Sequence, residues 1–230
     1  MRSQSQKDNR ILPEVKRMNE KKGVSFLLYL GVKRFFDVLC SLVALIALFW
    51  LFLLVAIAIK IDDGGKVFYT QERIGKGGKL FKLYKFRSMI EDADKMDRTL
   101  SPKEQEEYRT EYKLRNDNRI TKVGMFLRKT SLDELPNFIS VLKGDISLVG
   151  PRPLLEEEAF EKFGTDTAKL LSMKPGIAGM WAVNGRNNLS YESGERQAME
   201  LYYIDHCSVW LDVKIMLKAV ISVLKQEGAK

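Results

Sequence analysis

In this chain of 230 residues, the stretch VLCSLVALIALFWLFLLVAIAI, residues 38–59, contains no charged residue. As a straight helix, its 22 residues would extend over about 33 Å, which matches the hydrocarbon core of a bilayer. The run starts too far from the N-terminus, and is too long, to be the core of a signal peptide, and no small-residue cleavage site follows it. We therefore predict a membrane-embedded helix within residues 24–61.

Basic residues flank this run on both sides. Lys33 and Arg34 precede it, and a longer basic group follows it: Lys60, Lys66, Arg73, Lys76, Lys79, Lys82, Lys85 and Arg87. The positive-inside tendency favours the cytoplasmic face for both flanks, which one straight span cannot satisfy. Either one flank crosses the bilayer, or the helix enters and returns on the same face. Charge favours re-entry, although the run contains no proline that would bend it.

Composition restricts the chemistry of the chain. The net charge of +8 indicates an anionic partner, which could be nucleic acid, an acidic membrane face or a phosphorylated substrate. Cys40 and Cys207 form no disulfide framework, and the single histidine, His206, excludes most histidine-dependent triads and zinc sites. Catalysis would depend on carboxylates, lysines, arginines or a hard metal ion. Residues 1–23 form a basic flexible arm in this interpretation, either simply soluble or resting on anionic lipid.

Residues 62–230 are predicted to form the catalytic domain. Two short apolar segments, at residues 67–71 and 80–87, are separated by a glycine cluster at 75–78 and predict a β-hairpin. Lys85 and Arg87 flank an aromatic residue at its end, either as part of an ordinary strand or facing an anion. Residues 90–114 are rich in charge and predict exposed helix and loop.

The stretch Ser131-Leu132-Asp133-Glu134-Leu135-Pro136 places two adjacent carboxylates after a basic run. One interpretation is a capping box, in which Ser131 and Glu134 satisfy the first turn of a helix. Apolar residues recur at helical spacing from Leu132 to Leu142, and Gly144 ends the pattern. Asp133 and Glu134 fall outside that apolar stripe. The other interpretation makes Asp133 a nucleophile.

Three later segments complete the pattern. A short buried strand at 146–149 leads into Gly150-Pro151-Arg152-Pro153, where two prolines fix the backbone around Arg152. A guanidinium held in this way suits phosphate oxygens, although a structural turn is the alternative. The glycine-rich residues 174–186 fit a ligand-facing loop or a packing loop equally well. Residues 209–225, with Trp210 and several lysines, predict an interfacial amphipathic helix.

In this order along the chain, the segments resemble the bacterial sugar transferase family, the small monotopic phosphoglycosyl transferases that start surface-glycan assembly on polyprenyl phosphate. The resemblance runs from about residue 31 to 225. An ordered set of motifs is far more specific than any one of them. The matching motifs are Lys33-Arg34-Phe35-Phe36-Asp37, Gln71-Glu72-Arg73-Ile74-Gly75, Lys85-Phe86-Arg87-Ser88-Met89, residues 130–136, Leu142-Lys143-Gly144-Asp145, residues 148–153, Lys174-Pro175-Gly176 and Asn184-Gly185-Arg186.

The resemblance implies a mechanism. Asp133 would attack the β-phosphate of a UDP-sugar, release UMP and carry the sugar phosphate until polyprenyl phosphate accepts it. Glu134 would be associated with Mg²⁺. Positive charge must offset repulsion between carboxylate and diphosphate. The residues expected to bind the substrate are Lys85, Arg87, Arg119, Arg128, Pro151, Arg152, Pro153 and Arg186.

Two departures from the family pattern are visible. Where family members commonly carry Ser-Pro midway through the membrane helix, this chain has Phe49-Trp50. The usual Thr and Gln of two later motifs are Ala178 and Ala182, so those side chains cannot make the family's contacts here.

The overall expectation is a helix-rich mixed α/β enzyme with an N-terminal re-entrant membrane helix, a small β-hairpin and interfacial amphipathic helices. The resemblance implies the bacterial cytoplasmic membrane, with the catalytic domain on the cytoplasmic face. The expected partners are UDP-sugar, polyprenyl phosphate and membrane lipid, without nucleic acid. A non-catalytic membrane scaffold of a glycan-assembly complex is the alternative. The sugar, the glycan pathway and the oligomeric state are not determined by the sequence.

Overall fold

The computed structural model describes residues 11, 13–17, 23–112, 114, 116–184 and 190–225. It is a helix-rich mixed α/β structure with two small sheets, as predicted. The 3-10 turns are Lys76–Gly78, Leu132–Glu134 and Gly164–Asp166. The other elements are α1 (Val24–Ala47), α2 (Phe49–Asp63), β1 (Phe68–Ile74), β2 (Leu80–Phe86), α3 (Met96–Thr99), α4 (Pro102–Glu111), α5 (Lys122–Lys129), α6 (Asn137–Lys143), β3 (Ser147–Val149), α7 (Glu156–Phe163), α8 (Thr167–Leu170), β4 (Gly176–Ala178), α9 (Met180–Val183), α10 (Glu195–His206) and α11 (Val209–Leu224).

The long apolar run is divided between α1 and α2. The two helices meet at Leu48 and are bent by 61° relative to each other. Among the described helices, none alone has both the length and the apolarity to cross a bilayer, but this bent pair has both together. The bend occurs without a proline, and no other residue of the run had indicated a bend in the sequence. A straight helix over residues 38–59 is therefore not what the chain forms.

The middle of α1 is fixed by polar contacts to the folded domain that follows α2. The buried Asp37 carboxylate accepts hydrogen bonds from Ser147 Oγ (3.0 Å) and from the backbone N–H of Leu148 (2.9 Å), both in β3. Arg34 donates to the carbonyl oxygens of Val141 and Leu142 near the end of α6 (2.6 and 2.9 Å). The first two bonds compensate the buried charge of Asp37. The bonds from Arg34 satisfy carbonyl groups at the end of α6, where the helix has no further turn to supply N–H donors.

The far end of α2 is fixed to the same domain. Arg87, just after β2, forms an ion pair with Asp63, the last residue of α2. Asp62 accepts a hydrogen bond from the backbone N–H of Val123 (3.2 Å) in the first turn of α5, where an acidic side chain is favoured by the helix dipole. Four buried apolar residues pack around these contacts: Val55, Ile59, Phe86 and Leu127.

The predicted hairpin is confirmed. Strands β1 and β2 pair antiparallel with Phe68 opposite Phe86 and Ile74 opposite Leu80. The glycine cluster forms the connecting 3-10 turn, in which Gly77 and Gly78 have positive φ. Residues 90–114 contain the mostly exposed α3 and α4, as predicted.

The second sheet lies at the centre of the main core. The predicted strand at 146–149 is confirmed as the fully buried β3, which pairs in parallel with β4. Gly176 is required here, because a Cβ would overlap the backbone nitrogen of Gly150. The main core contains, among others, Leu83, Val141, Ile146, Val149, Leu154, Ala159, Tyr203 and Ile215.

Part of the predicted flexible arm differs from expectation. Residues 13–17 are helical, and Ile11 and Val15, four residues apart, are buried against the main core. Two apolar side chains at this spacing share one helix face, and their burial supplies the packing that the polar composition of the arm had not suggested. Residues 1–10, 12 and 18–22 of the arm lie outside the described residues.

Helix α11 exposes an apolar face. Trp210 is 66 % exposed, and it is joined on the surface by Val209, Val213, Leu217, Val220 and Ile221. The same is true of much of α1 and α2, including Leu28, Phe35, Ile46, Phe49, Trp50 and Leu54. Exposed apolar area on this scale is typical of a surface that contacts a membrane or another protein.

Candidate active site

A sharp turn carries the two carboxylates. Helix α5 ends at Thr130, and Ser131 follows it with φ +56°, a left-handed conformation that is uncommon for residues other than glycine. The capping-box interpretation is therefore wrong: Ser131 makes no side-chain cap bond, and it terminates α5 rather than starting a new helix. Helix α6 begins only after Pro136, and the dyad lies in the intervening 3-10 turn.

Asp133 is buried, with 8 % of its surface exposed. The sequence pattern had placed it outside the buried stripe. Arg128, in the last turn of α5, donates a hydrogen bond from Nε to Ser88 Oγ (2.9 Å). Burial lowers the pKa of the Arg128 guanidinium, and Asp133 is the first of three carboxylates that oppose this effect. Asp133 is thus close enough to Arg128 for the two charges to attract each other.

Glu134 points into a cleft of about 310 Å³. Its Oε1 lies 3.3 Å from Nζ of Lys85, which extends from β2. Both side chains are a little over one quarter exposed, so the pair is accessible to a ligand in the cleft. The sequence prediction that Lys85 and Glu134 belong to one site is consistent with this contact.

Another part of the cleft lining, which we call the arginine wall, is formed by Arg152, Pro153 and Trp181, whereas Asp133 does not line the cleft. The guanidinium carbon of Arg152 lies 4.8 Å from the ring centroid of Trp181, a cation–π distance. The carbonyl oxygen of Pro153 accepts a hydrogen bond from Arg73 Nη1 (3.2 Å). Arg152 and Pro153 line the cleft, while Pro151 is buried. Residues of the glycine-rich segment, Gly176 to Val183, complete this wall.

Two of the predicted arginines are engaged elsewhere. Arg87 forms its ion pair with Asp63, at the end of α2. Arg119 makes a two-pronged contact with Asp117 (2.7 and 2.6 Å) and donates to the carbonyl oxygen of Ala93 (2.7 Å). Neither arginine lines the cleft, and neither does Arg128. Arg186 lies outside the described residues.

The side chains of the cleft could hold a hard divalent cation through a carboxylate that is shared with substrate and water ligands. Among the described residues, no group of three or more acidic, histidine or cysteine side chains could hold a metal by itself. Glu134 nonetheless offers a cleft-facing carboxylate next to the buried Asp133. Mg²⁺ commonly takes one or two carboxylates, water and substrate phosphates rather than a complete protein cage.

Sequence reasoning missed three residues of the cleft. Arg73 belongs to β1, in which exposed residues alternate with half-buried ones. Because alternate residues of a strand point to the same face, this pattern could have suggested that the Arg73 side chain faces the interior. Trp181 had been noted only as part of a glycine-rich segment. Glu200, on α10, lines the cleft although it lies more than 60 residues from the dyad in the sequence. A single glutamate within an amphipathic helix does not indicate in the sequence that its side chain lines a cleft with distant residues.

The geometry can now be compared with known proteins. Residues 28–226 match the model of the family described as bacterial sugar transferase. The chain belongs to this family. It is therefore a transferase enzyme, and the interpretation of the sequence as a family resemblance is confirmed.

Individual relatives are consistent with this membership. The chain is 42 % identical over 200 residues to an exopolysaccharide production protein, ExoY, of Sinorhizobium fredii, with 86 % of this chain and 87 % of the relative covered. It is 41 % identical over 201 residues to an undecaprenyl-phosphate galactose phosphotransferase of Salmonella typhimurium, covering 86 % of this chain but only 41 % of that relative. An N-acetylgalactosaminephosphotransferase of Aeromonas hydrophila is 35 % identical over 209 residues, covering 88 % of this chain and 46 % of the relative.

Proposed function

We propose that this family member transfers sugar 1-phosphate from a UDP-sugar to polyprenyl phosphate, releases UMP, and so initiates the assembly of an exopolysaccharide, capsule or other surface glycan. The names of its relatives support a sugar-phosphate transfer to a lipid carrier. The observation that carries the proposal is the cleft itself, because the paired Glu134 and Lys85 and the guanidinium-bearing Arg152 all line one space of about 310 Å³.

The charges of the cleft suit a diphosphate. Lys85, Arg73 and Arg152 supply three cations, and an arginine fork matches two phosphate oxygens. Because the cleft is partly enclosed and its walls are largely apolar, each of these charges acts more strongly than it would in water. The positive side chains of the cleft thereby offset the negative charge of a nucleotide diphosphate before an acidic residue approaches it.

Asp133 is the proposed nucleophile. One carboxylate oxygen of Asp133 forms a bond to the β-phosphorus, while the bond from that phosphorus to the bridging oxygen breaks and UMP departs with the electron pair. An oxygen of polyprenyl phosphate then attacks the same phosphorus, which frees the Asp133 carboxylate and yields the polyprenyl diphosphate sugar. The buried Asp133 side chain must turn toward the cleft for the first step.

Glu134 is the proposed Mg²⁺ ligand. A bound divalent ion would neutralise charge on the diphosphate oxygens. Lys85 pairs with Glu134 in the described state, so it would release that carboxylate and contact a phosphate oxygen when substrate enters.

We also propose that α1 and α2 form a re-entrant membrane hairpin, with the catalytic domain on the cytoplasmic face. Both helices of the pair contact one domain: Asp37, in the middle of α1, binds β3, and Asp63, the last residue of α2, binds Arg87. If the domain lies on one side of the bilayer, both ends must lie there as well, which the 61° bend permits. The exposed apolar face of α11 would rest on the same membrane surface.

Incubation of the full chain with a panel of UDP-sugars, without acceptor, tests the transfer. We expect stoichiometric UMP release with at least one sugar and a sugar-phosphate mass increment on the peptide that contains Asp133. The Asp133→Asn variant should give neither product. If that variant formed the same adduct, the nucleophile assignment would be wrong; if the wild type released no UMP with any sugar, the proposal of a catalytic transferase would give way to that of a scaffold.

Topology needs a separate measurement. Single cysteines placed at exposed positions before α1 and after α2, such as Gly23 and Lys66, are labelled from each side of sealed vesicles in a background lacking Cys40 and Cys207. Equal labelling from one side is expected. Labelling of the two positions from opposite sides would contradict re-entry.

A further inference from the structure

A network of buried charged residues lies behind the arginine wall of the cleft. Glu158, on α7, accepts hydrogen bonds from Tyr191 OH (2.6 Å) and from Arg196 Nη2 (3.4 Å), and its other oxygen lies 3.7 Å from Arg73 Nη1. Arg196 stacks on Trp181, with 4.4 Å between the guanidinium carbon and the ring centroid. Trp181 therefore contacts two guanidinium groups, those of Arg196 and Arg152.

Glu200 connects this network to the Pro-Arg-Pro turn. It lies one helical turn after Arg196 on α10 and is only 2 % exposed. Its Oε2 accepts a hydrogen bond from the backbone N–H of Arg152 (3.2 Å). Because prolines flank Arg152 on both sides, this N–H is the only backbone donor of the three-residue motif. The Glu200 bond thus fixes the motif at its central residue.

The second oxygen of Glu200 is fully buried and has no hydrogen-bond partner among the described residues. A buried carboxylate with one unpaired oxygen is costly when it is charged. Burial accordingly raises the pKa of Glu200 to about 7, against the opposing effects of the Arg152 N–H and the guanidiniums of Arg196 and Arg152. The charged groups that act on it come from its own helix (Arg196), the loop after β3 (Arg152) and α7 (Glu158).

We infer that Glu200 is a positioning residue for substrate binding: it holds Arg152 against Trp181 so that the guanidinium faces the diphosphate. This inference rests on the proposed function of the cleft. Arg152 would bind phosphate in the ground state and in the transition state alike. Loss of its position should therefore weaken substrate binding more than it slows the chemical step.

The ionisation of Glu200 modulates the same wall. When Glu200 is protonated, Glu158 is the one acidic group of this set that offsets the positive charge of Arg152 and Arg196. More of that positive charge is then available to the diphosphate. Once Glu200 ionises, a negative charge next to Arg152 reduces that attraction. Substrate affinity is therefore expected to fall as the pH rises through about 7.

Two variants of similar volume separate these roles. Glu200→Leu removes the acceptor for the Arg152 N–H without opening a cavity, whereas Glu200→Gln keeps a carbonyl acceptor and cannot ionise. The measurement is the burst of UMP release by the full chain without acceptor, as a function of UDP-sugar concentration. The probe is the UDP-sugar that gives the largest burst with wild type. Asp205→Asn serves as the control, because Asp205 lies on the same helix but pairs at the surface with Lys169.

At pH 6 we expect Glu200→Leu to raise the half-saturating UDP-sugar concentration about tenfold, as the loss of one hydrogen bond to a buried donor would do. Glu200→Gln and Asp205→Asn should stay within about threefold of wild type on the same scale. Between pH 6 and pH 8 the half-saturating concentration of wild type should rise, and that of Glu200→Gln should stay constant.

The inference is overturned if Glu200→Leu lowers only the burst amplitude at an unchanged half-saturating concentration, which a merely structural role would produce. It is also overturned if Glu200→Gln weakens binding as much as Glu200→Leu, or if wild type and Glu200→Gln share one pH profile. Absence of a burst in wild type with every UDP-sugar would instead refute the proposed function, and the inference with it.

Discussion

The two walls of the cleft are built differently. The dyad wall is a short, sharply turned segment: Ser131 has a left-handed backbone, and Glu134 and Lys85 form a partly exposed pair. In the arginine wall the half-buried Arg152 is held against the buried Trp181 and Glu200, by contacts from the separate helices α9 and α10. In the proposed function this difference divides the work: the dyad wall carries the groups that react, whereas the arginine wall carries groups that must not move.

The largest expected effect is on the dyad wall. Glu134→Gln should lower kcat for UMP release about 10³-fold, because it removes a charge that acts only where the diphosphate reacts. The melting temperature should change little, since the side chain is partly exposed. A titration with Mg²⁺ accompanies the assay, and we expect the variant to need a higher concentration for half-maximal activity. An unchanged kcat would remove Glu134 from the reacting groups.

The arginine wall should respond in stability rather than in chemistry. The pKa of Glu200 is raised from an ordinary value of 4.5 to about 7 in the folded protein, so folding favours its protonated form. This stabilisation is present below pH 4.5 and is lost as the pH rises toward 7. Compared with wild type, Glu200→Gln should therefore gain up to about 3 kcal/mol in free energy of unfolding between pH 5 and pH 8.

Denaturant unfolding of both proteins at each pH measures this difference. Asp205→Asn, with its exposed carboxyl, provides the matched reference for the removal of one acidic group from α10. A difference between Glu200→Gln and wild type that stayed constant across the pH range would show that Glu200 does not change its protonation there.

A smaller effect is expected for Arg152→Lys. Lysine keeps the charge but loses the planar group that lies 4.8 Å from the Trp181 ring centroid. We expect kcat/KM for the UDP-sugar to fall about 30-fold, which corresponds to about 2 kcal/mol and should appear mainly in KM. Steady-state kinetics with a saturating acceptor measures it. A loss confined to kcat would assign Arg152 to the chemical step and would blur the distinction between the walls.

The smallest effect concerns Lys85→Met. The ion pair of Lys85 with Glu134 is partly exposed, so its loss should lower the free energy of unfolding by less than about 1 kcal/mol. Activity should fall more clearly, by roughly tenfold, because one cation of the diphosphate site is removed. Thermal unfolding and UMP release on the same preparation test both statements. A large loss of stability with normal activity would make Lys85 a structural residue of the hairpin.

Local sequence signals predicted much of the fold. The antiparallel hairpin followed from two apolar segments around a glycine cluster, and β3 followed from a short apolar run before Gly150. The capping box failed because Ser131-x-x-Glu134 is compatible with two local structures. The packing of α5 ended that helix at Thr130 and gave Ser131 the conformation of a helix terminator instead.

The candidate site was predicted in part. Glu134, Lys85, Arg152 and Pro153 lie on one cleft, and they came from motifs that are short and ordered along the chain. Arg87 and Arg119 had the same composition signal, but they bind Asp63 and Asp117. A sequence shows that an arginine is present near a motif; it does not show which carboxylate the fold places next to it.

The sequence by itself determined the uncharged run of residues 38–59, the adjacent carboxylates at 133 and 134 and the proline-framed Arg152. These are local features, because apolarity, side-chain chemistry and the fixed φ of proline belong to single residues. Tertiary structure decided the 61° bend at Leu48, the burial of Asp133 and the bond from Arg152 to Glu200. Each of these depends on which distant segments pack together, and burial and pairing energies arise only after that packing has formed.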